Sequence, residues 1–307
     1  MNIMSKRYYF FAFSLVLIIA GVIVFATNGL PLAIDFKGGT LLEMTFNGSK
    51  MPTTTEVIQI YAEHDANDPQ VQFSGNMVLV RSDTLDTPTQ DAIVSEMNTK
   101  YGDVTLQLSG TVTPSISQEV TRSAMIAVLV ATLGIILYMT YAFRKLTHVI
   151  RYSIVTIVAM LHDIFIVLSL AAIGGKFFGW QVDSMFLTAV LTVIGFSVQD
   201  TIVVFDRIRE NSAFLRRIPY EQLVNHSIVQ TLQRSLNTTL MTFEFILLAL
   251  ALFGGITLRE FSIILLVGLL SGAYSSICIA APLLIVWENK EWKTWFKHSD
   301  TSEVVSQ

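Results

Sequence analysis

Three ionisable residues stand where ionisable residues are costly. Asp163 and Asp200 each interrupt a long apolar stretch, and Arg234 stands at the head of another. An acid inside a membrane span costs about 2.5–3.5 kcal/mol on the insertion scale, so it calls for a use. Asp200 precedes Asp206 by six residues, ~9 Å at helical rise, which puts it in the half of its span nearest a basic connection. Two readings stand for it. One is a carboxylate that carries a proton or an ion, and the other is a structural hydrogen bond to a neighbouring helix. Arg234, followed by Ser235, Thr238 and Thr239, approaches the membrane from the same side. It could hold Asp200 ionised and, on letting go, allow it to take up a proton, or it could serve only as a basic anchor. Asp163, with His162 beside it, falls near mid-membrane and either extends a relay or pairs with polar groups in the bundle. Glu244 is more weakly placed, near the start of its span. Asp206, Arg207, Arg209 and Glu210 read as a solvated, ion-paired continuation of the fourth helix.

Helices must cross a bilayer to hold these groups, and the composition supplies them. Of 307 residues, 52% are hydrophobic and only 14% charged, with a mean hydropathy of +0.56. A soluble chain carries nearer about 25% charged residues. Spans of roughly 20 apolar residues are expected at Tyr8–Ala26, Ser123–Phe143, Tyr152–Ile173, Ser184–Phe205, Thr238–Phe253 and Phe261–Trp287, the last interrupted near Pro282. The first apolar run is too long for a signal-peptide core and is expected to stay as an anchor. Lys6 and Arg7, then Arg144, Lys145 and Arg151, then Arg207, Arg209, Arg216, Arg217 and Arg234, then Lys290, Lys293 and Lys297 mark alternate connections as basic. By the positive-inside rule both termini are cytoplasmic. Cys278 stands alone in an apolar block and reads as a small hydrophobe. In the last span, Gly268-Leu-Leu-Ser-Gly272 permits close helix contact, within the chain or with a partner.

The expected organisation is therefore 1–27 as cytoplasmic N-terminus and first span, 28–122 as an extracytoplasmic domain, 123–287 as spans two to six, and 288–307 as a cytoplasmic tail. Residues 28–122 hold 12 acids and 5 bases, and their apolar period alternates between strand and helix. Leu42, Met44 and Phe46 mark one strand. Thr53 and Glu56 form a capping box before a helix bearing Val57, Ile60 and Tyr61. Val71–Phe73 and Met77–Val80 are strands joined by Gly75-Asn76. Thr87-Pro88 opens a helix that buries Ile93, Val94, Met97 and Tyr101, and Val104, Leu106 and Leu108 alternate again. The order βαββαβ predicts a small ferredoxin-like α+β domain on a polytopic α-helical membrane protein of six spans. His64 beside Asp65 reads as a solvated helix end, and no residues have the spacing of an enzyme active site.

Several segments resemble a known family. Asp35-Phe36-Lys37-Gly38-Gly39-Thr40, just after the first span, resembles a hallmark of the SecD/SecF protein-export family, which belongs to the resistance–nodulation–division superfamily. The run from Gly195 to Asn211, with Gln199, Asp200, Thr201, Asp206 and Arg207, is similar to the fourth-span signature of its SecF branch. Gln230 to Thr239, Val112 to Glu119 and His162-Asp163 match further segments in order. Gln199 replaces the usual Asn but keeps the amide, and Thr113 replaces a Gly at the hinge into the second span. The resemblance implies a non-enzymatic subunit in the bacterial plasma (inner) membrane, without cofactor or metal and without nucleic-acid binding. It implies SecD and the SecY/SecE/SecG translocon as partners, unfolded preprotein as the substrate, and export assisted by the proton-motive force. By that resemblance Asp200 and Arg234 fall on ion-coupling positions, with Asp163 as a third candidate. An efflux transporter of the wider superfamily is the competing reading, though its external domains are far larger. A non-conducting translocon scaffold is the other.

Overall fold

The computed structural model describes residues 3–48, 50–144, 149–215, 217–239 and 245–291. A 3-10 turn at Met4–Lys6 leads into α1 (Arg7–Asn28), and a one-turn helix α2 (Ile34–Lys37) enters the outer domain. There β1 (Gly39–Phe46), α3 (Thr54–Glu63), β2 (Gln70–Ser74), β3 (Met77–Ser82), α4 (Thr87–Tyr101) and β4 (Val104–Val112) follow in the βαββαβ order expected. The helical bundle comprises α5 (Pro114–Ala142), α6 (Val149–Phe178), α7 (Ser184–Phe214), α8 (Tyr220–Thr239), α9 (Phe245–Phe253), α10 (Ile256–Ser275) and α11 (Ala281–Glu288).

Five helical stretches among the described residues are long and apolar enough to cross a membrane: Met4–Asn28, Pro114–Ala142, Ile150–Phe178, Ser184–Phe214 and Ile256–Glu288. The expected crossing at Thr238–Phe253 is only partly covered. Its apolar half is α9, whereas Glu244 lies outside the described residues. Near the predicted interruption at Pro282, a π-turn spans Ser276–Ala280, and the N–H of Ala281 reaches back to the carbonyl of Ser276. Proline cannot donate to the helical ladder, and the wider turn just before it absorbs the mismatch.

The outer sheet is antiparallel in the order β2-β3-β1-β4. Leu42 opposes Val80 and Met44 opposes Val78. These pair-mates share one face and bury it against Val57, Ile60 and Tyr61 of α3 and Ile93 and Met97 of α4. The Thr53–Glu56 capping box forms in both directions. The second helix starts one residue earlier than its sequence suggests: Asp86, not Thr87, is the cap and accepts from the N–H of Thr89. An aspartate outranks an adjacent threonine here because its carboxylate also meets the positive helix end. The alternation of Val104, Leu106 and Leu108 does mark a strand. A bulge shifts the register between Glu43 and Met44, however, so Leu106 opposes Met44 while Leu108 opposes Glu43. On this edge strand both leucines remain exposed.

Two apolar clusters fill the bundle. One joins Met139, Phe143, Tyr152, Ala159, Val198 and Phe205. The other joins Met160, Val167, Val193, Ile194 and Leu269. At the end of the bundle holding the chain's start, Arg7 pairs with Glu291 at 2.8 Å and Glu221 at 3.2 Å, and Arg151 pairs with Glu288.

Candidate functional site

Between the two apolar clusters lies a polar layer centred on Asp163, near the midpoint of α6 and fully buried. Three hydroxyls donate to its carboxylate. Ser197 of α7 and Ser275 of α10 reach Oδ2 at 2.5 and 2.6 Å, and Ser271 of α10 reaches Oδ1 at 2.6 Å. His162 Nδ1 lies 3.0 Å from Oδ1, while its Nε2 is buried with no hydrogen-bond partner among the described residues. Hydroxyl bonds to a side-chain carboxylate are charge-assisted. Such bonds are worth about 1.5–3 kcal/mol each, enough together to offset the cost of an acid in a span.

Local sequence explains why three helices meet there. Ser271 and Ser275 are four residues apart and so project from one face of α10. Gly268 and Gly272 bring that face against α7. A Cβ at Gly268 would lie 2.3 Å from Val193 Cγ2, and one at Gly272 would lie 3.1 Å from Ser197 Cβ. The small-residue pattern in the last span therefore serves packing within this chain. One turn further on, Thr201 bonds Ser276 of the π-turn at 2.9 Å.

A hydroxyl can donate to a carboxylate and, after rotation, accept from a carboxyl group. Ser275, whose hydroxyl also reaches the Gly272 carbonyl at 3.1 Å, can turn from donor to acceptor when Asp163 takes up a proton. The cage offers no nucleophile–base pair and is suited to holding a small cation or proton.

The other expected residues are distributed along the same helix and its neighbours. Asp200 is half-buried on α7, one turn beyond Ser197; Gln199 is exposed, and Arg234 stands exposed on α8. Asp206 pairs with Arg209 at 2.5 Å, and Arg207 pairs with Glu210 at 2.6 Å and bonds Gln230. That is the ion-paired surface expected. His64 ends α3 and bonds Glu96 of α4 at 2.8 Å.

At the outer end, the Asp35–Thr40 segment is a compact joint. Gly38 and Gly39 have φ of +86° and +138°, and a Cβ on Gly39 would sit 2.4 Å from the carbonyl oxygen of Ser82. Only glycine fits that second position. Thr40 is buried, accepts from the N–H of Leu85 at 2.8 Å and bonds Thr111 of β4. Phe36 packs against the outer apolar cluster of the bundle. Asp35 Oδ2 accepts from the N–H of Ser184 at 2.8 Å and from its hydroxyl.

The sheet's other face sits on the bundle. Gln72 donates to the carbonyl of Gly179 and to Glu260, and Gln181 donates to Gln70. Arg81, buried on this face, donates to Gln72 at 2.8 Å. Burial holds its pKa below the ordinary arginine value against the pull of Glu260, Asp183 and Asp35. Sequence reasoning singled out neither Arg81 nor the cage serines as partners of a charge. The signals were present: Arg81 alternates with Val78 and Val80, and Ser271 and Ser275 share a helical face.

Comparison with known proteins places these features in a family. The model for the protein export membrane protein SecD/SecF, C-terminal, matches residues 93–290, and that for the SecD/SecF GG motif matches residues 23–50. The protein translocase subunit SecF of Anaerolinea thermophila is 56% identical over 299 residues, 97% of each chain. The protein translocase subunit SecDF of Bacillus subtilis is 36% identical over 298 residues, covering 94% of this chain and 38% of the relative. The crystal structure of SecDF, a translocon-associated membrane protein from Thermus thermophilus, superposes with a TM-score of 0.84 at 31% identity, covering 94% of this chain and 39% of that one.

Proposed function

Since the chain belongs to the SecD/SecF family of protein-export membrane proteins, we propose that it is a non-catalytic translocase subunit that uses the proton-motive force to assist export. It is a multi-pass membrane protein. The single observation that carries the coupling is Asp163, a fully buried carboxylate held by hydroxyls from two other helices. A proton crossing 100 mV releases about 2.3 kcal/mol. Charging and discharging Asp163 changes which hydroxyls donate and which accept, and so biases how α7 and α10 sit against α6. Asp200, half-buried on α7, and Arg234 on α8 serve the path between this layer and the cytoplasm.

SecD is the partner in this reading. This chain spans about two fifths of the SecDF chains it matches, and it aligns with nearly all of a separate SecF subunit. The SecY/SecE/SecG channel and an unfolded preprotein complete the assembly. The reading includes six spans, with α8 and α9 leading through the fifth, in the plasma (inner) membrane. Basic residues at alternate connections support cytoplasmic termini. The βαββαβ order and the β2-β3-β1-β4 sheet support a ferredoxin-like outer domain over residues 28–122. That domain handles the emerging chain.

The test is export into inverted vesicles with and without a proton gradient. Asp163→Asn and Asp200→Asn should each remove the gradient-dependent increment while leaving gradient-independent export in place. An increment preserved in Asp163→Asn would sink the coupling through this layer, and one preserved in both variants would leave a scaffold.

A further inference from the structure

The linker that carries the outer domain is fastened to the outer end of α7, a helix remote from it in sequence. Ala33 donates to the carbonyl of Val182 at 2.9 Å, and Val182 donates to that of Pro31 at 2.7 Å. Two residues on, the Asp35 carboxylate takes both the backbone N–H and the hydroxyl of Ser184. After Gly38 the chain enters β1, an inner strand of the sheet, where Gly39 lies too close to Ser82 for any side chain. No slack separates the start of α7 from the sheet.

Asp35 is a second cap on this helix start, reached from a part of the chain remote in sequence. The start of α7 already has its cap, because Asp183 accepts from the N–H of Phe186 at 2.8 Å. The two carboxylates satisfy different N–H groups of that start, and the buried Arg81 lies in the field of both. The Asp183 carboxyl is held above the ordinary aspartate range by burial and, further, by the charge of Asp35. On the same helix, Ser197 donates to Asp163, thirteen residues or ~20 Å further along the axis.

We infer that the Asp35–Ser184 clamp transmits movement of α7 to the outer domain, which makes Asp35 a positioning residue for coupling. The inference rests on Asp163 being the coupling carboxylate. When the hydroxyls around Asp163 exchange roles, α7 shifts as a rod. Its outer end then pulls β1 directly, through five residues from Asp35 to Gly39.

The experiment compares gradient-dependent and gradient-independent export for Asp35→Ala, Asp35→Asn, Ser184→Ala and Asp163→Asn, using the full chain with its SecD partner in vesicles. Asp35→Ala should lose the gradient-dependent increment, keep gradient-independent export, and melt at the wild-type temperature. Asp35→Asn keeps an acceptor for the Ser184 N–H and should restore most of the increment, while Ser184→Ala should retain part of it. If Asp163→Asn loses the increment and Asp35→Ala keeps it, the clamp is wrong and the coupling carboxylate stands. If Asp35→Ala lowers both kinds of export and the melting temperature together, the residue is a structural cap and the inference fails. If Asp163→Asn keeps the increment, the coupling reading fails and the clamp with it.

Discussion

Replacing Arg81 with leucine should unseat the outer domain without unfolding it. Arg81 projects from the sheet face opposite the domain's own core, which is formed by Leu42, Met44, Val78 and Val80 with α3 and α4. It is 7% exposed, donates to Gln72 Oε1 at 2.8 Å, and lies in the field of Glu260, Asp183 and Asp35. Loss of the charged hydrogen bond alone costs about 1.5–3 kcal/mol. Leaving the buried Glu260 carboxylate and the half-buried Asp183 and Asp35 without their counter-charge raises the total to about 3–5 kcal/mol. At about 1.4 kcal/mol per decade, the seated-to-unseated ratio should fall by roughly two to three and a half decades. Hydrogen exchange on the full chain in detergent reads this directly. Amides at Gly179–Val182 and along β2 should lose protection, while those of α3 and α4 keep theirs. Adding Glu260→Gln removes one of the stranded charges and should recover part of the loss, since contacting sites couple. Unchanged protection at Gly179–Val182 in Arg81→Leu would refute the argument. So would equal loss in α3 and α4, which would mean that Arg81 supports the domain rather than its seat.

Two further outcomes follow from the outer domain. Gly39→Ala must accept a φ of +138° and a Cβ 2.4 Å from the Ser82 carbonyl. It should destabilise the domain by about 1–3 kcal/mol, seen as a lower melting midpoint, whereas alanine at exposed Gly75 meets no atom within 4 Å and only its positive φ opposes it. The caps of α3 and α4 set an acid dependence. Hydrogen bonds to Thr53 hold the Glu56 carboxyl below its ordinary value, and those from Thr89 do the same for Asp86. A lowered folded-state pKa contributes stability that is present above the ordinary carboxylate range and lost as pH falls through the lowered values. Hydrogen exchange at the first turns of both helices should therefore accelerate, relative to their last turns, on acidification below about pH 4. Glu56→Gln should remove the α3 dependence and leave that of α4, whereas Thr53→Ala keeps the backbone N–H bond to Glu56 and should only weaken it.

Local chemistry made much of the fold legible. Caps, the Gly75-Asn76 turn and the alternation in β1 act over a few residues, and apolar runs declare spans by length alone. The double glycine was legible as a turn, but its need became visible only when Ser82 was found against Gly39. The site was less legible. Asp200 and Asp163 both announce themselves as acids among apolar residues, but nothing in the sequence shows that Asp163 is fully buried with three serine hydroxyls on its carboxylate. Ser271 and Ser275 read from sequence as small packing residues because a serine on a tight interface and a serine on a buried carboxylate look alike until the opposing helix is placed. Arg81 was hidden for a related reason. Alternation puts it outward, and outward in a small domain means solvent unless another body covers that face.

The two covered places are built from the same helices. The cage takes Asp163 from α6, Ser197 from α7, and Ser271 and Ser275 from α10. The seat of the outer domain takes Gly179 and Gln181 from the α6–α7 connection, Ser184 from the start of α7, and Glu260 from the start of α10. Helices α1 and α5, which carry the domain covalently, supply none of these groups. Ser271 lies eleven residues from Glu260, ~16 Å along α10. Packed helices slide as rods rather than deform, because the close-packed contacts at Gly268 and Gly272 leave no room to bend. If Asp163 is the coupling carboxylate proposed above, a change in the hydroxyl arrangement around it would reach Ser184 and Glu260 together. Ser184 holds the linker and Glu260 the sheet from different helices, so in the proposed coupling a relative sliding of α7 against α10 would tilt the domain.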